Sequence, residues 1–137
     1  MGKLISSHIP RVLVVDNDDR VRDLIGSVLT DAGFGVSAAP TFQTALDMLK
    51  KDAFDVIVTE VALPDGLSGV ELVRCARASQ PALRTLFISE RTGPYVVVDQ
   101  PDRDDFVGIP FRNRELLGCV WELMLRDLPD KQPSNPS

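Results

Sequence analysis

Phe54-Asp55-Val56-Ile57-Val58-Thr59-Glu60-Val61-Ala62-Leu63-Pro64-Asp65-Gly66 is the stretch that decides the fold of this chain. Its apolar run is short, continuous and rich in β-branched residues, as in a parallel strand buried on both faces. The run stops at a carboxylate, and Pro64-Asp65-Gly66 then turns the chain. Val12 to Val15 is an earlier run of the same kind, and it too stops on polar residues, Asp16-Asn17-Asp18-Asp19. After it, Val21, Leu24, Ile25, Val28, Leu29 and Ala32 recur at helical spacing, with Gly33 as a C-terminal stop.

The rest of the chain keeps this alternation. Phe34 to Ala39 predicts a weaker second strand, and Thr41 caps a helix with Phe42, Ala45, Leu46 and Leu49 on its inner face. Phe54 to Thr59 is the third strand. Ser68-Gly69-Val70-Glu71 is a capping box that opens a helix burying Leu72, Val73 and Ala76. Thr85 to Ser89 is the fourth strand. Glu90 to Asp105 contains Gly93, Pro94 and Pro101, so a fourth helix there is expected to be short or irregular. Phe106 to Ile109 is the fifth strand. Asn113 then caps a last helix whose stripe of Leu116, Leu117, Val120, Trp121 and Met124 reads as core.

Alternating strands and helices give an α/β fold, expected as a flavodoxin-like, doubly wound parallel sheet of five strands in the order 2-1-3-4-5. Ligands in such sheets bind beyond the carboxyl ends of the strands, at the switch point. That rule picks out Asp16, Asn17, Glu60, Ser89, Ile109 and Pro110 as neighbours.

Length and composition set the outer bounds. The chain has 137 residues, 44% of them apolar, enough for one domain with a proper core. Residues 11–126 are expected to form it, with 1–10 an N-terminal extension and 127–137 a disordered, proline-rich tail. On this reading no room is expected for an output domain. No apolar stretch approaches the roughly 20 residues of a membrane helix, and Met1 to Pro10 lacks the apolar core of a secretory signal. A formal charge of −5 without a Lys/Arg cluster argues against a nucleic-acid surface. Cys75 and Cys119 read as reduced thiols, and the expected location is the cytoplasm. His8 is solitary and reads as incidental.

Together, Arg11-Val12-Leu13-Val14-Val15-Asp16-Asn17-Asp18-Asp19, the offset from Glu60 to Pro64, the hydroxyl at Ser89 and Ile109-Pro110-Phe111 resemble the receiver (CheY-like) domain of bacterial response regulators. The resemblance covers roughly residues 11 to 125. It implies a small magnesium-dependent phosphotransfer site: acids after strand one holding the metal, an acceptor aspartate after strand three, and a hydroxyl and a lysine on the phosphoryl oxygens. Asp16 matches the first acid and Asn17 the second. Glu60 stands where the acceptor aspartate is expected, and Ser89 and Phe106 match the switch hydroxyl and switch aromatic. Ile109, before Pro110, takes the lysine position, and Ala62 would offer its carbonyl to a metal. Asp18, with Asp19, fits the helix N-terminus, where the dipole favours negative charge. A register shifted by two residues would instead make Asp18-Asp19 the functional pair.

Relative to the family pattern, the Asp-to-Asn and Lys-to-Ile exchanges cancel in charge, leaving the pocket near minus two. The longer Glu60 side chain moves its carboxylate outward, and displacement by about 1 Å is costly for in-line transfer. The resemblance therefore implies a degenerate pseudo-receiver, working by phosphorylation-independent contact with a histidine kinase, an output protein or a second copy of itself. The face from Phe106 to Trp121 is the expected contact surface, and no cofactor is expected. Magnesium, through Asp16, Glu60 and Ala62, belongs only to a pocket that keeps the family's behaviour. Three readings of Glu60 stay open: a solvated carboxylate, a partial mimic of the phosphorylated state within reach of Ser89, and an altered metal or phosphate site. Two alternative functions also stay open. One is a conventional phosphoacceptor with residual acceptance at Ser89, Asp16 or Asp18; the other is an unrelated small enzyme on the same sheet.

Overall fold

Period-two alternation in the strands decides which helices cover which face of the sheet. The computed structural model describes residues 9–90 and 102–126. Their elements run β1 (Arg11–Val15), α1 (Asp19–Asp31), β2 (Gly35–Ala39), α2 (Phe42–Lys51), β3 (Val56–Glu60), α3 (Gly69–Arg77), β4 (Arg84–Glu90), β5 (Asp104–Ile109) and α4 (Asn113–Leu125). A single 3-10 turn, Pro64–Gly66, lies between β3 and α3. All strand pairings are parallel, in the order β2-β1-β3-β4-β5. The expected five-stranded, flavodoxin-like sheet is therefore observed.

Val12 and Val14 point to one face with Val56, Val58, Leu86, Ile88 and Val107. There they meet Ile25 and Leu29 of α1 and Leu116, Val120 and Leu123 of α4. Leu13, Val15, Ile57 and Phe87 point the other way, onto Ala45 and Leu49 of α2 and Leu72, Val73 and Ala76 of α3. Burying side chains of this size stabilises by roughly 1.5–3 kcal/mol each, so these two layers hold the sheet between them. β1 lies between β2 and β3, and the chain reverses its direction of travel across the sheet there, which opens a crevice above β1 and β3.

The helix ends follow the local chemistry of the sequence. Asp18 caps α1, accepting at Oδ1 from the N–H groups of Arg20 and Val21. Gly33, at φ 100°, carries the left-handed residue that ends it. Thr41 caps α2 through Thr44 N–H, and Ser68 caps α3 through the N–H groups of Val70 and Glu71.

Several boundaries differ from expectation. β2 begins at Gly35 because the Phe34 N–H still bonds the Leu29 carbonyl at the end of α1. β3 begins at Val56 because Asp55 turns its carboxylate back onto Arg11 N–H at 2.8 Å. β5 begins earlier than expected, at Asp104, whose charge is buried against Arg77. Asn113 is the first residue of α4 and not its cap. Arg112 holds the cap position, and Glu115 Oε1 accepts from its N–H at 2.7 Å. Trp121 is 43% exposed and tilts against Phe34 at 4.8 Å, at the rim of the core; Leu123 takes the buried position instead. Residues 91–101 of the segment Glu90 to Asp105, where the short fourth helix is expected, and the tail at 127–137 lie outside the described residues.

Candidate functional site

The crevice predicted by the switch-point rule is a cavity of about 540 Å³ at the carboxyl ends of β1, β3, β4 and β5. Asp16, Asn17, Asp18, Glu60, Ala62, Ser89 and Ile109 all line it. Val21, Val61 and Ile88 complete the wall; sequence reasoning passed over them because each also reads as an ordinary core position. Pro110 and Phe106 do not line it. Val107 faces α4, so strand alternation turns Phe106 to the opposite side of β5, where it is 41% exposed. Trp121 packs with Phe34 on the α1/α4 side. The single face expected from Phe106 to Trp121 is thus two surfaces on opposite sides of the sheet.

The acids are positioned by backbone hydrogen bonds. Asp16, 2% exposed, accepts at Oδ1 from Asp18 N–H at 2.9 Å, which turns the chain from β1 toward α1. Arg22 reaches back from α1 to donate to the Asp16 carbonyl at 2.8 Å, a contact the sequence reading did not foresee. Glu60 Oε1 accepts from Asn17 N–H at 2.9 Å. The glutamate therefore spans the gap from β3 to the β1–α1 turn and is not a freely solvated strand end.

The loop after Glu60 is closely held. Gly69 N–H donates to Val61 O at 2.8 Å, Leu63 N–H donates to Leu67 O at 3.0 Å, and Ala62 bridges Ser68 antiparallel. Asp65 and Gly66, at φ 65° and 72°, absorb the turn in the left-handed region. Gly69 itself packs against β3, and a β-carbon there would lie 2.3 Å from the Glu60 carbonyl oxygen.

Burial raises the carboxyl pKa of Asp16, opposed by the Asp18 N–H bond and Arg22 and reinforced by the Asp18 charge. Burial also raises that of Glu60, opposed by the Asn17 N–H bond and reinforced by the charges of Asp16 and Asp18. The cavity thus concentrates negative charge, and no Lys or Arg lines it among the described residues. Among the described residues, no three His, Cys, Asp or Glu side chains are grouped to hold a metal ion. No described helix is long and apolar enough to cross a membrane.

Comparison with known proteins places this geometry. The family model for the response regulator receiver domain matches residues 12–120. The chain is similar to the response regulator MprA of Mycobacterium sp. (strain KMS), with 33% identity over 129 residues, 93% of this chain and 56% of that protein. It is also similar to the transcriptional regulatory protein CreB of Escherichia coli K12, with 32% identity over 131 residues, 90% of this chain and 54% of that protein. The chain thus spans about half the length of the curated relatives it matches. The solved structure of the chemotaxis response regulator CheY4 of Vibrio cholerae superposes with a TM-score of 0.75 at 26% identity, covering 85% of this chain and 99% of that one. With the sheet order, the cavity at the switch point and this match over most of its length, the chain belongs to the response regulator receiver domain family, the receivers of two-component signalling.

Proposed function

We propose that this receiver signals by protein–protein contact without accepting a phosphoryl group. The observation that carries the reading is the engagement of Glu60. Its carboxylate is bonded to Asn17 N–H in a cavity whose described lining residues include no cation. An acceptor needs a carboxylate oxygen aligned for in-line attack and positive charge on the transferring group. Here the oxygen is turned to a backbone donor, and Ile109 presents hydrocarbon where charge would be needed.

Magnesium does not fit the residues present. The ion takes converging oxygen ligands in near-octahedral geometry. Asp16 and Glu60 each commit one oxygen to a backbone N–H, Asp18 caps α1, and Asn17 offers only a neutral amide. The same commitments count against Asp16 or Asp18 as substitute acceptors. The partner in this reading is a histidine kinase, an output protein or a second copy of the chain, and the exposed Phe106 on β5 is one surface available to it.

The test is intact-mass analysis after incubation with acetyl phosphate and magnesium chloride. Unmodified protein is the expected result. A stoichiometric phosphoryl adduct, abolished by changing one cavity carboxylate, would overturn the reading.

A further inference from the structure

Glycine inside an exposed helix is among the least favourable residues, so its presence there marks a place where something else decides the side chain. Gly118 stands in the middle of α4, exposed and with ordinary helical backbone. Gly33 and Gly66 are required by positive φ, and Gly69 by the closeness of β3. At Gly118, by contrast, nothing among the described residues lies within 4 Å of where a β-carbon would stand. The fold of a single copy gives no reason for a glycine here.

The position belongs to a line along the helix. Arg114, Gly118, Trp121 and Leu125 follow one another at helical spacing and stack on the side opposite the buried Leu116, Val120 and Leu123. Trp121 tilts against Phe34, so its ring is held while its outer face stays open. Leu125 is 78% exposed. A ring already fixed by its own chain makes a good interface anchor, because little rotamer freedom is left to lose. One turn away, Gly118 leaves a gap where a second helix backbone can come close. A knob and a gap on one line are self-complementary, which points to a second copy of this chain.

We propose that α4 packs antiparallel against α4 of a second copy about a two-fold axis, with Trp121 of each copy covering Gly118 of the other. Charge selects the direction. A parallel pair would set the two Arg114 side chains against each other, which is unfavourable. The antiparallel register that joins Trp121 to Gly118 instead brings Arg114 beside Leu125 of the other copy and within a side chain's reach of its Glu122. Arg114 then lays its stem on the leucine and its guanidinium on the glutamate. Glu122 is exposed, and its contact with Arg126 at 3.6 Å is a loose surface pair that leaves it able to turn to a second partner. One helix on one helix falls at the low end of interface sizes, below about 1,200 Å², so the association is weak and depends on concentration. The proposal rests on the contact reading and names its partner, and it leaves the cavity and Phe106 uncovered.

The test is sedimentation velocity of the full chain between about 10 μM and about 1 mM, the range of a weak interface. A monomer–dimer equilibrium is expected. The emission of Trp121, the chain's single tryptophan, should move to shorter wavelength along the same isotherm. Gly118→Leu should weaken association by about tenfold or more while the thermal midpoint of the monomer holds or rises, because leucine suits an exposed helix better than glycine. Arg114→Glu should weaken it similarly, and adding Glu122→Arg to that variant should recover most of the loss. Monomeric protein across the whole range, unchanged association in Gly118→Leu, or a charge swap that restores nothing would each overturn the proposal. So would a short-wavelength emission that does not vary with concentration, since the ring is then covered by its own chain. Monomeric protein that also takes no phosphoryl group removes the dimer and leaves the contact reading intact, whereas an adduct removes that reading itself.

Discussion

Glu60 Oε1 accepts a hydrogen bond from Asn17 N–H at 2.9 Å, tying the end of β3 to the turn between β1 and α1. The extra methylene that separates glutamate from aspartate is what lets the carboxylate cross that gap. Glu60→Asp should lose the tie while keeping the charge, lowering stability by about 0.5–1.5 kcal/mol. Glu60→Gln keeps an oxygen on the same atom and should not show that loss. Urea unfolding of the two variants beside the parent checks the difference.

Phosphoryl acceptance should return only when the whole set is changed. Glu60→Asp alone should give no adduct with acetyl phosphate and magnesium, because the second acid and the cation are still missing. The triple variant Asn17→Asp, Glu60→Asp, Ile109→Lys should become stoichiometrically labelled by intact mass. Labelling of the single variant would show that Glu60 is the sole block.

Asp16 and Glu60 are both shifted upward, mainly by burial, so the folded state favours their protonated forms more than the unfolded chain does. The stability they contribute is complete below the ordinary carboxylate range and is lost as pH rises through the raised values. Asp16→Asn can still accept the Asp18 N–H bond but carries no charge. It should therefore be more stable than the parent at neutral pH, with the difference shrinking as the solution is acidified. Thermal midpoints across the acidic range would show whether the two curves converge.

Gly69 is required by close approach. A β-carbon there would meet Glu60 O at 2.3 Å and Thr59 Oγ1 at 2.9 Å, and neither can retreat without moving β3. Gly69→Ala should destabilise by about 1–3 kcal/mol. It should also shift the amide resonances of Val61 and Glu60, because α3 must move away from the strand end.

At the other end of the sheet Arg77 holds Asp104 at 2.6 Å, with the two side chains only 13% and 1% exposed. Arg77 also donates to the Leu83 carbonyl at 2.7 Å. Asp104→Ala should cost about 3–5 kcal/mol, since it leaves a buried guanidinium without its carboxylate. Arg77→Met combined with Asp104→Leu should recover much of that loss. Equal stability of the single and double variants would show that the pair does not act as a unit.

These residues show how far a one-dimensional reading reaches. The strands, the caps at Asp18, Thr41 and Ser68 and the stop at Gly33 are legible because each rests on period, local side-chain chemistry or backbone freedom within a few residues. The cavity neighbours Asp16, Asn17, Glu60, Ser89 and Ile109 were legible too, because strand order places the ends of adjacent strands together. Asn113 misled because the cap is set by where Glu115 reaches back, not by which residue suits the position best. Trp121 misled because helical spacing gives a face but not the depth to which the face is buried.

The sequence by itself determined the sheet, its order and the residues that meet at its carboxyl edge. The parallel sheet follows from apolar periodicity and from connection through helices, while its order was the flavodoxin-like pattern that the receiver resemblance implies. Only the tertiary structure decided that Glu60 is bonded across to Asn17, that Phe106 and Trp121 lie on opposite sides of the sheet, and that Asp104 is buried against Arg77. Each depends on the distance and facing of groups far apart in the chain. A residue's type sets the bonds it can make, and the packed fold sets which of them are within reach.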